Sequence, residues 1–287
     1  MFALLGCGYT GERVARRLLA RGLPVLATSR RPERLTLPGA RLLRVDLDDP
    51  STLDDLRQAL PAGVRVLHSV PLVRDASGAF RDPTPELLSC LPTPTARVVY
   101  LSTTGVYGGV FEVDETTMPA PRTPRETLRV SAENRVLAGP WSAIILRPAA
   151  IYGPGRGIHV SMRRGDFRLL GEGGNFVSRI HVDDLAALAE AALLSEETGA
   201  WPVADLRPAQ SREIAAFCAE LLGCPLPPSA SARELSETRR ANRRVDGRVI
   251  TERLGVRLTF PTYREGIPQA LAAEAGESQS EVPGSLG

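Results

Sequence analysis

The sequence predicts an α/β fold: a doubly wound, mostly parallel sheet with a small C-terminal substrate lobe. Short apolar runs alternate with helical patterns through the first two-thirds of the chain. The runs are apolar along nearly their whole length, which is typical of parallel strands covered by helices on both faces. A cluster of glycines separates the first run from the first helical pattern. The predicted strands are 2–6, 24–29, 40–47, 64–70, 96–103 and 142–148.

Helices are predicted between these strands. The first places Val14, Leu18 and their neighbours at helical spacing and ends at Gly22. Others are predicted at 51–60 and 125–138. Strands and helices in this series predict the strand order 3-2-1-4-5-6.

The pattern loosens after residue 150, which predicts a division of the chain. We expect a sheet domain over 1–150 and a smaller lobe over 151–272 that closes over the carboxyl edge of the sheet. Residues 273–287 are rich in Ser, Gly and Glu, so a disordered tail is predicted there.

Composition excludes several classes of protein. The chain has 287 residues, 43% of them hydrophobic, and a net charge of +2. A sizeable core is therefore expected, and a nucleic-acid partner is not. Neither an apolar run long enough to span a membrane nor a signal peptide is recognisable, so a cytoplasmic location is predicted.

The cysteine, histidine and basic residues limit the kinds of site that the chain could form. The cysteines, Cys7, Cys90, Cys218 and Cys224, form no C-x-x-C pair and no zinc-like spacing with the histidines, so no metal site is predicted. The chain contains no lysine, and all 35 basic residues are arginine. No mechanism can use a lysine ammonium.

The motif Gly6-x-Gly8-x-x-Gly11 follows the first strand and opens the first helix. In this position the glycines allow a tight turn, close approach of a pyrophosphate and close packing of helix on strand. The helix N-terminus offers free N–H groups to phosphates. The motif predicts a Rossmann-like dinucleotide site made by Gly6, Cys7, Gly8, Tyr9, Thr10 and Gly11.

The end of the second strand bears on the choice of cofactor. NAD-specific chains usually place an acidic residue there for the ribose hydroxyl, but this chain has Ser29, Arg30 and Arg31. Arginines attract a 2′-phosphate, so NADP is favoured over NAD. Asp46, after the third strand, is a candidate acceptor for the adenine amino group, or else a helix-capping or surface aspartate.

Further motifs follow in order: "VDLDD", "LHSVP", "YLSTTGVYG", "ILRPAAIYGPG" and "RIHVDDLA". Over residues 1–195 the chain resembles the extended short-chain dehydrogenase/reductases, the NAD(P)-dependent epimerase/dehydratase superfamily. The glycine spacing and the stretch 242–267 are similar to an atypical branch of it. The resemblance implies an oxidoreductase or epimerase acting on a small molecule, and it leaves a homodimer open.

The resemblance also implies roles for individual residues. Thr103 would hydrogen-bond the reacting oxygen, while Ser69 and Pro148 would lie against the cofactor. The catalytic Tyr-x-x-x-Lys pair of the superfamily, counted back from Glu133, falls on positions 125 and 129. Both are arginine.

A guanidinium does not deprotonate in a protein, so Arg125 cannot serve as the acid/base. Three interpretations remain open. In the first, Tyr107, His181 or Tyr152 is the acid/base. In the second, the chain binds NAD(P) without catalysing a reaction, as a sensor or scaffold. In the third, the arginines form a solvated helix face and the site lies elsewhere.

The arginines also bear on the substrate. Arg125 and Arg129 are able to hold an anion, such as a sugar nucleotide, bidentately. Arg179 is a candidate for a diphosphate or for a salt bridge to Asp183 or Asp184. The predicted substrate-binding residues are Arg125, Arg129, Tyr152, Arg179 and His181.

Overall fold

The computed structural model describes residues 1–75 and 77–280. The strands are β1 (Phe2–Leu5), β2 (Val25–Ser29), β3 (Arg41–Arg44), β4 (Arg65–His68), β5 (Val73–Arg74), β6 (Phe80–Arg81), β7 (Arg97–Leu101), β8 (Glu112–Val113), β9 (Ser142–Pro148), β10 (Ala150–Tyr152), β11 (Leu169–Leu170), β12 (Phe176–Val177), β13 (Arg179–His181), β14 (Gly199–Val203), β15 (Ala209–Gln210), β16 (Ser229–Ala230) and β17 (Arg244–Val245).

The helices are α1 (Gly11–Ala20), α2 (Ser51–Ala59), α3 (Thr84–Leu88), α4 (Pro124–Leu137), α5 (Ile158–Arg163), α6 (Val182–Leu194), α7 (Ser211–Leu222), α8 (Arg248–Arg253) and α9 (Tyr263–Ser280). Short 3-10 helices lie at Pro32–Arg34, Thr104–Tyr107 and Glu237–Arg240.

A seven-stranded parallel sheet organises the fold, in the order β14-β9-β7-β4-β1-β2-β3. Its centre is β1, where Leu4 lies opposite Ala27 of β2 on one side and Leu67 of β4 on the other. Six of its strands, β3-β2-β1-β4-β7-β9, follow the predicted order 3-2-1-4-5-6, so the fold class and that order are confirmed. β14 adds a seventh strand beside β9.

Both faces of the central strands are buried, as their apolar residues predicted, whereas three of the four residues of the edge strand β3 are exposed. Phe2 and Leu4 belong to a core cluster shared with α1 and α6. Ala3 and Leu5 belong to a second cluster shared with α2, α3 and α4 on the opposite face. Alternate residues of one strand thus enter two cores, which requires apolar side chains at every position.

The chain leaves the sheet after β9 and later returns to it. α6 covers one face and β14 pairs with β9, although both follow residue 150. The smaller lobe is built by the short ladders β10–β13, β11–β16 and β12–β15 together with α5, α7 and α9. Its separate core contains Tyr152, Ile214 and Tyr263. A single cut at residue 150 therefore does not separate the two parts.

The C-terminal segment corrects one prediction. Residues 273–280 are not a disordered tail but the end of α9, and residues 281–287 lie outside the described part of the chain. Glu274 accepts a hydrogen bond from the backbone N–H of Gly155 at 2.6 Å and lies 3.1 Å from His159 Nε2. These contacts anchor the second half of α9 to the smaller lobe.

Candidate functional site

The loop between β1 and α1 has the backbone that its glycines predicted. Gly6 has a φ of 80°, and a Cβ there would lie 2.8 Å from Val70 Cγ2. Its N–H donates to Thr28 Oγ1 at 3.1 Å. A side chain at this position is therefore excluded by conformation and by space.

Space and free donors remain on the outer side of the loop. A Cβ at Gly8 would meet no atom within 4 Å, whereas one at Gly11 would lie 3.4 Å from Gly6 O. Among the described residues, no hydrogen bond uses the backbone N–H of Gly8, Tyr9 or Thr10. Free N–H groups at the start of α1, with open space in front of them, fit the pyrophosphate of a dinucleotide.

The side chains in this loop face away from that space or towards the smaller lobe. Cys7 is buried, and burial raises the pKa of its thiol to about 12. The Tyr9 hydroxyl donates to Pro154 O at 3.0 Å, and the Arg13 guanidinium stacks 4.4 Å from the centroid of the Tyr9 ring. Arg13 also pairs with Asp183 at 2.9 Å. Tyr9 thus links the glycine loop to the second lobe.

At the end of β2, Arg30 and Arg31 are exposed. Neither has a carboxylate within 4.0 Å in the described part of the chain. The Arg31 N–H donates to Ser29 Oγ at 3.1 Å, which fixes the turn. Both guanidinium groups are therefore available to an anion.

Asp46 is engaged locally. Its Oδ2 accepts a hydrogen bond from Arg44 at 2.9 Å and its Oδ1 one from the Asp48 N–H at 3.3 Å. These contacts suit the surface aspartate that was the alternative to an adenine acceptor.

Ser69 and Pro148 lie at the carboxyl ends of β4 and β9. Ser69 Oγ donates to Gly6 O at 2.8 Å, behind the loop. Pro148 is buried and lies opposite Val203 of β14. Ser69 supports the shape of the loop in this arrangement.

Thr103 and Tyr107 follow β7 but differ in access. Thr103 is half-buried, and its Oγ1 accepts a hydrogen bond from the Gly105 N–H at 3.1 Å. Tyr107 is fully buried, with Arg147 Nη1 donating to its hydroxyl at 3.1 Å. Burial raises the pKa of Tyr107 despite Arg147. The hydroxyl of Tyr107 is therefore closed to a ligand, which is evidence against its predicted catalytic role.

Arg147 also forms a buried ion pair that the sequence analysis missed. Its Nη2 lies 2.7 Å from Glu133 Oε2, and Ser102 donates to the same carboxylate. The charged residue inside the apolar run "AIILRP" was the sequence feature from which a buried ion pair could have been predicted. The pair fixes α4 against the ends of β7 and β9.

The side chains of Arg125 and Arg129, both in α4, lie in different surroundings. Arg129 Nη1 donates to the Tyr100 hydroxyl at 2.6 Å. Arg125 is exposed, with its guanidinium 5.5 Å from the centroid of the Phe80 ring. Arg129 is therefore held against the sheet, and only Arg125 is fully presented to solvent.

Tyr152, Arg179 and His181 are buried rather than lining an open pocket: their exposed fractions are 4%, 6% and 0%. The Tyr152 hydroxyl donates to Thr262 O at 3.3 Å, and its ring packs edge-on against His181 at 5.1 Å. Burial lowers the pKa of His181 to about 4 and raises that of Tyr152. This placement is evidence against either as an acid/base, and it makes Tyr152 part of the core of the smaller lobe.

Arg179 forms no salt bridge to Asp183 or Asp184 within the described residues. Asp183 pairs with Arg13, and Asp184 accepts hydrogen bonds from the backbone of Thr259 and Phe260. The alternative of a salt bridge from Arg179 is wrong.

A model of the NAD dependent epimerase/dehydratase family matches residues 4–203, well over half of the chain. The chain belongs to this family. The resemblance inferred from the motifs is thereby confirmed. Membership of this epimerase/dehydratase family classes the protein with NAD(P)-dependent enzymes of oxidoreductase and epimerase type.

Solved structures similar to this epimerase/dehydratase family member share its whole fold. A conserved protein of unknown function from Silicibacter pomeroyi is 34% identical, with a TM-score of 0.77 over 95% of this chain and 98% of its own. MoeE5 in complex with UDP-glucose and NAD is 23% identical, with a TM-score of 0.78 over 97% and 99%. The NAD complex of UDP-glucose 4-epimerase from Thermus thermophilus is 21% identical, with a TM-score of 0.79 over 96% and 99%.

A curated relative of this epimerase/dehydratase family member is a 3-diazoavenalumate denitrifying reductase from a Streptomyces species. It is 31% identical over 158 residues, which are 49% of this chain and 52% of the reductase. The match thus spans about half the length of the relative.

Two further observations concern partners. Within residues 1–75 and 77–280, no helix combines the length and apolar character that crossing a membrane requires. The same residues contain no group of three or more His, Cys, Asp or Glu side chains placed to hold a metal ion.

Proposed function

We propose that the protein is an NAD(P)-dependent oxidoreductase or epimerase-like enzyme that acts on a hydroxyl- or carbonyl-bearing metabolite without a Tyr-x-x-x-Lys pair. The observation that carries the proposal is the glycine loop. Its N–H groups at Gly8, Tyr9 and Thr10 are free among the described residues, and the space in front of Gly8 is open. A dinucleotide pyrophosphate supplies acceptors for these donors.

The cofactor we propose is NADP. Arg30 and Arg31 are exposed cations without carboxylate partners in the described residues, and a 2′-phosphate would satisfy both. When bound, the nicotinamide of either cofactor supplies a hydride acceptor or donor. The residues proposed to hold the cofactor are the loop 6–11, Ser29, Arg30, Arg31, Ser69 and Pro148.

Thr103 is the group we propose to contact the reacting oxygen. Since Oγ1 accepts from Gly105, its own proton is free to be donated to a substrate oxygen. Tyr107, Tyr152 and His181 are buried, and arginine does not exchange its proton. The proton that balances hydride transfer then comes from solvent.

The substrate we propose is anionic. Arg125 stands exposed at the position of the superfamily tyrosine and offers a planar cation to a phosphate or carboxylate. A sugar nucleotide is one substrate of this class. The name of the Streptomyces relative refers to a reductase, which supports reduction over epimerisation.

The competing function is a non-catalytic NAD(P)-binding sensor or scaffold. The burial of Tyr107 and His181 and the arginines at 125 and 129 favour it. For either function, the location that we propose is the cytoplasm, as expected from the sequence.

One experiment distinguishes the two functions. The purified protein is titrated with NADPH and NADH by nicotinamide fluorescence and then assayed against sugar nucleotides and small carbonyl compounds. Turnover that Thr103→Val abolishes and Thr103→Ser retains supports the enzyme. Cofactor binding without turnover supports the sensor, and binding of neither cofactor contradicts both.

A further inference from the structure

The turn that follows β10, residues 153–156, brings the smaller lobe against the glycine loop. The Gly153 N–H donates to Arg156 O at 2.9 Å, and the Arg156 N–H donates to Gly153 O at 3.0 Å. Glu274 accepts a hydrogen bond from the Gly155 N–H at 2.6 Å, which joins the turn to α9. The backbone of Arg156 is therefore held at the boundary between the two parts of the molecule.

Tyr9 of the glycine loop packs directly on this turn. Its hydroxyl donates to Pro154 O at 3.0 Å, and a Cβ at Gly153 would lie 2.8 Å from the same hydroxyl oxygen. Glycine at 153 thus allows the close contact. In this arrangement the guanidinium of Arg156 lies 5.5 Å from the centroid of the Tyr9 ring.

The charge of Arg156 is uncompensated. The side chain is exposed, and within residues 1–75 and 77–280 its guanidinium has no carboxylate within 4.0 Å and forms no hydrogen bond. Arg13 stacks on the same tyrosine ring at 4.4 Å, but it pairs with Asp183 at 2.9 Å. Of these two cations beside Tyr9, Arg156 is therefore the one that is available to an anion.

A bound pyrophosphate would need such a cation. Both of its phosphate groups are ionised near neutral pH, whereas the N-terminus of a helix offers the equivalent of about half an elementary charge. The cations nearest the start of α1 are already used, because Arg13 pairs with Asp183 and Arg16 lies 3.3 Å from Glu12. A cation from outside α1 would complete the compensation.

Arg156 is close to the free donors of the loop. Its guanidinium lies beside the Tyr9 ring, and the Tyr9 N–H is one of the donors without a partner among the described residues. The space in front of the loop is open, since a Cβ at Gly8 would meet no atom within 4 Å. Exposed side chains change rotamer rapidly, so a modest movement of Arg156 would bring it to an anion at this N–H.

We propose that Arg156 binds the pyrophosphate of the cofactor and so adds a contact from the smaller lobe to those of the glycine loop. The inference rests on the proposed function, because it requires a dinucleotide at this loop. A guanidinium donates two parallel hydrogen bonds to phosphate oxygens. The pyrophosphate is common to both cofactors, so Arg156 strengthens the binding of NADPH and NADH alike.

The test is titration of the full-length protein with NADPH and with NADH, followed by nicotinamide fluorescence at low salt. Arg156→Met keeps an apolar stem beside Tyr9 and removes the charge, so both affinities should fall about tenfold and their ratio should stay unchanged. Arg156→Lys retains a cation and should recover part of the loss. Arg164→Met changes another exposed arginine of the smaller lobe, which has no contact with Tyr9 in the described residues, and should leave both affinities unchanged.

Two further readouts separate a phosphate contact from a structural effect. The melting temperature of Arg156→Met should stay within about 2 °C of that of the natural chain, because the side chain is exposed. The loss of affinity should shrink as NaCl is raised from about 0.05 M to about 0.5 M, because salt screens an exposed charge. A loss that does not depend on salt would instead reflect packing on Tyr9 and overturn the inference.

The remaining outcomes distinguish this inference from the proposed function. If the natural chain binds cofactor and Arg156→Met binds both cofactors equally well, the inference is wrong and the proposed function stands. Weaker binding of NADPH alone would assign Arg156 to the 2′-phosphate and also overturn it. If the natural chain binds neither cofactor, the inference and the proposed function are both wrong.

Discussion

Arg129 donates a hydrogen bond to the hydroxyl of Tyr100, with 2.6 Å between Nη1 and the phenol oxygen. Tyr100 is fully buried in β7 and packs on His68, with ring centroids 4.8 Å apart. Counting back from Glu133 predicts that Arg129 occupies the position of the superfamily lysine. The guanidinium group of Arg129 is thereby held against the sheet by the Tyr100 side chain of β7.

This relationship predicts coupling between the two side chains. Tyr100→Phe leaves the guanidinium without its acceptor, and we expect a loss of about 1 kcal/mol in the free energy of unfolding, because half-exposed Arg129 regains water. Urea unfolding of Tyr100→Phe, Arg129→Met and the double variant measures the coupling. Additive effects of the two substitutions would contradict a direct interaction.

The open space at Gly8 predicts a variant that folds but does not bind cofactor. A Cβ there meets no atom within 4 Å, and the side chain of a valine would occupy the approach of a pyrophosphate. Gly8→Val should reduce NADPH affinity by more than about a hundredfold and leave the melting temperature within about 2 °C. Gly174→Val is the matched control, because a Cβ there also meets nothing within 4 Å. Unchanged NADPH binding by Gly8→Val would place the cofactor elsewhere.

The exposed arginines after β2 predict the preference between cofactors. Arg30→Ser with Arg31→Ser should weaken NADPH binding at least about tenfold and leave NADH binding nearly unchanged, because only NADPH has the 2′-phosphate. Arg135→Ser, on the exposed side of α4, is the control for general loss of positive charge. Equal weakening of both cofactors would argue against a phosphate contact.

Asp205 predicts a distinct pH dependence of stability. Burial raises its pKa in the folded protein to about 7, from an ordinary value of about 3.9 in an unfolded chain. Between about pH 4 and about pH 7 the folded state therefore binds more protons than the unfolded state, so this group makes stability fall as pH rises. Arg179, Asp184 and Glu265 are the charged groups around it.

Asp205→Asn should remove that contribution. The difference in unfolding free energy between the variant and the natural chain should grow in favour of the variant from about pH 5 to about pH 7 and then level off. Chemical denaturation at several pH values measures it. A difference that is constant with pH would mean that Asp205 titrates normally.

Local signals explain what could be predicted from the sequence. Continuous apolar runs predicted the central strands of the sheet, because a strand that is buried on both faces needs apolar side chains along nearly its whole length. The edge strand β3 is largely exposed but still contains Leu42 and Leu43. The glycine loop was predictable because the positive φ of Gly6 and the open space at Gly8 depend on a few neighbouring residues.

The burial of candidate site residues had no such local signal. Tyr152 is covered by Thr262 and Gly266, and His181 by Phe260, all more than 70 residues away along the chain. The buried pairing of Glu133 with Arg147 likewise joins α4 to β9 in space. A motif identifies a candidate residue, but it does not show which distant residues pack on its side chain.

The return of the chain to the sheet has a consequence for cooperativity. Leu185, Leu188 and Val203, beyond residue 150, share one core cluster with Val14 and Leu18 of the first helix. A fragment ending at residue 150 would expose this cluster and lack an edge strand, so it should aggregate or remain partly folded. In the intact chain, the amide protons of β1 and β14 should exchange with solvent in one common opening event rather than in two successive ones.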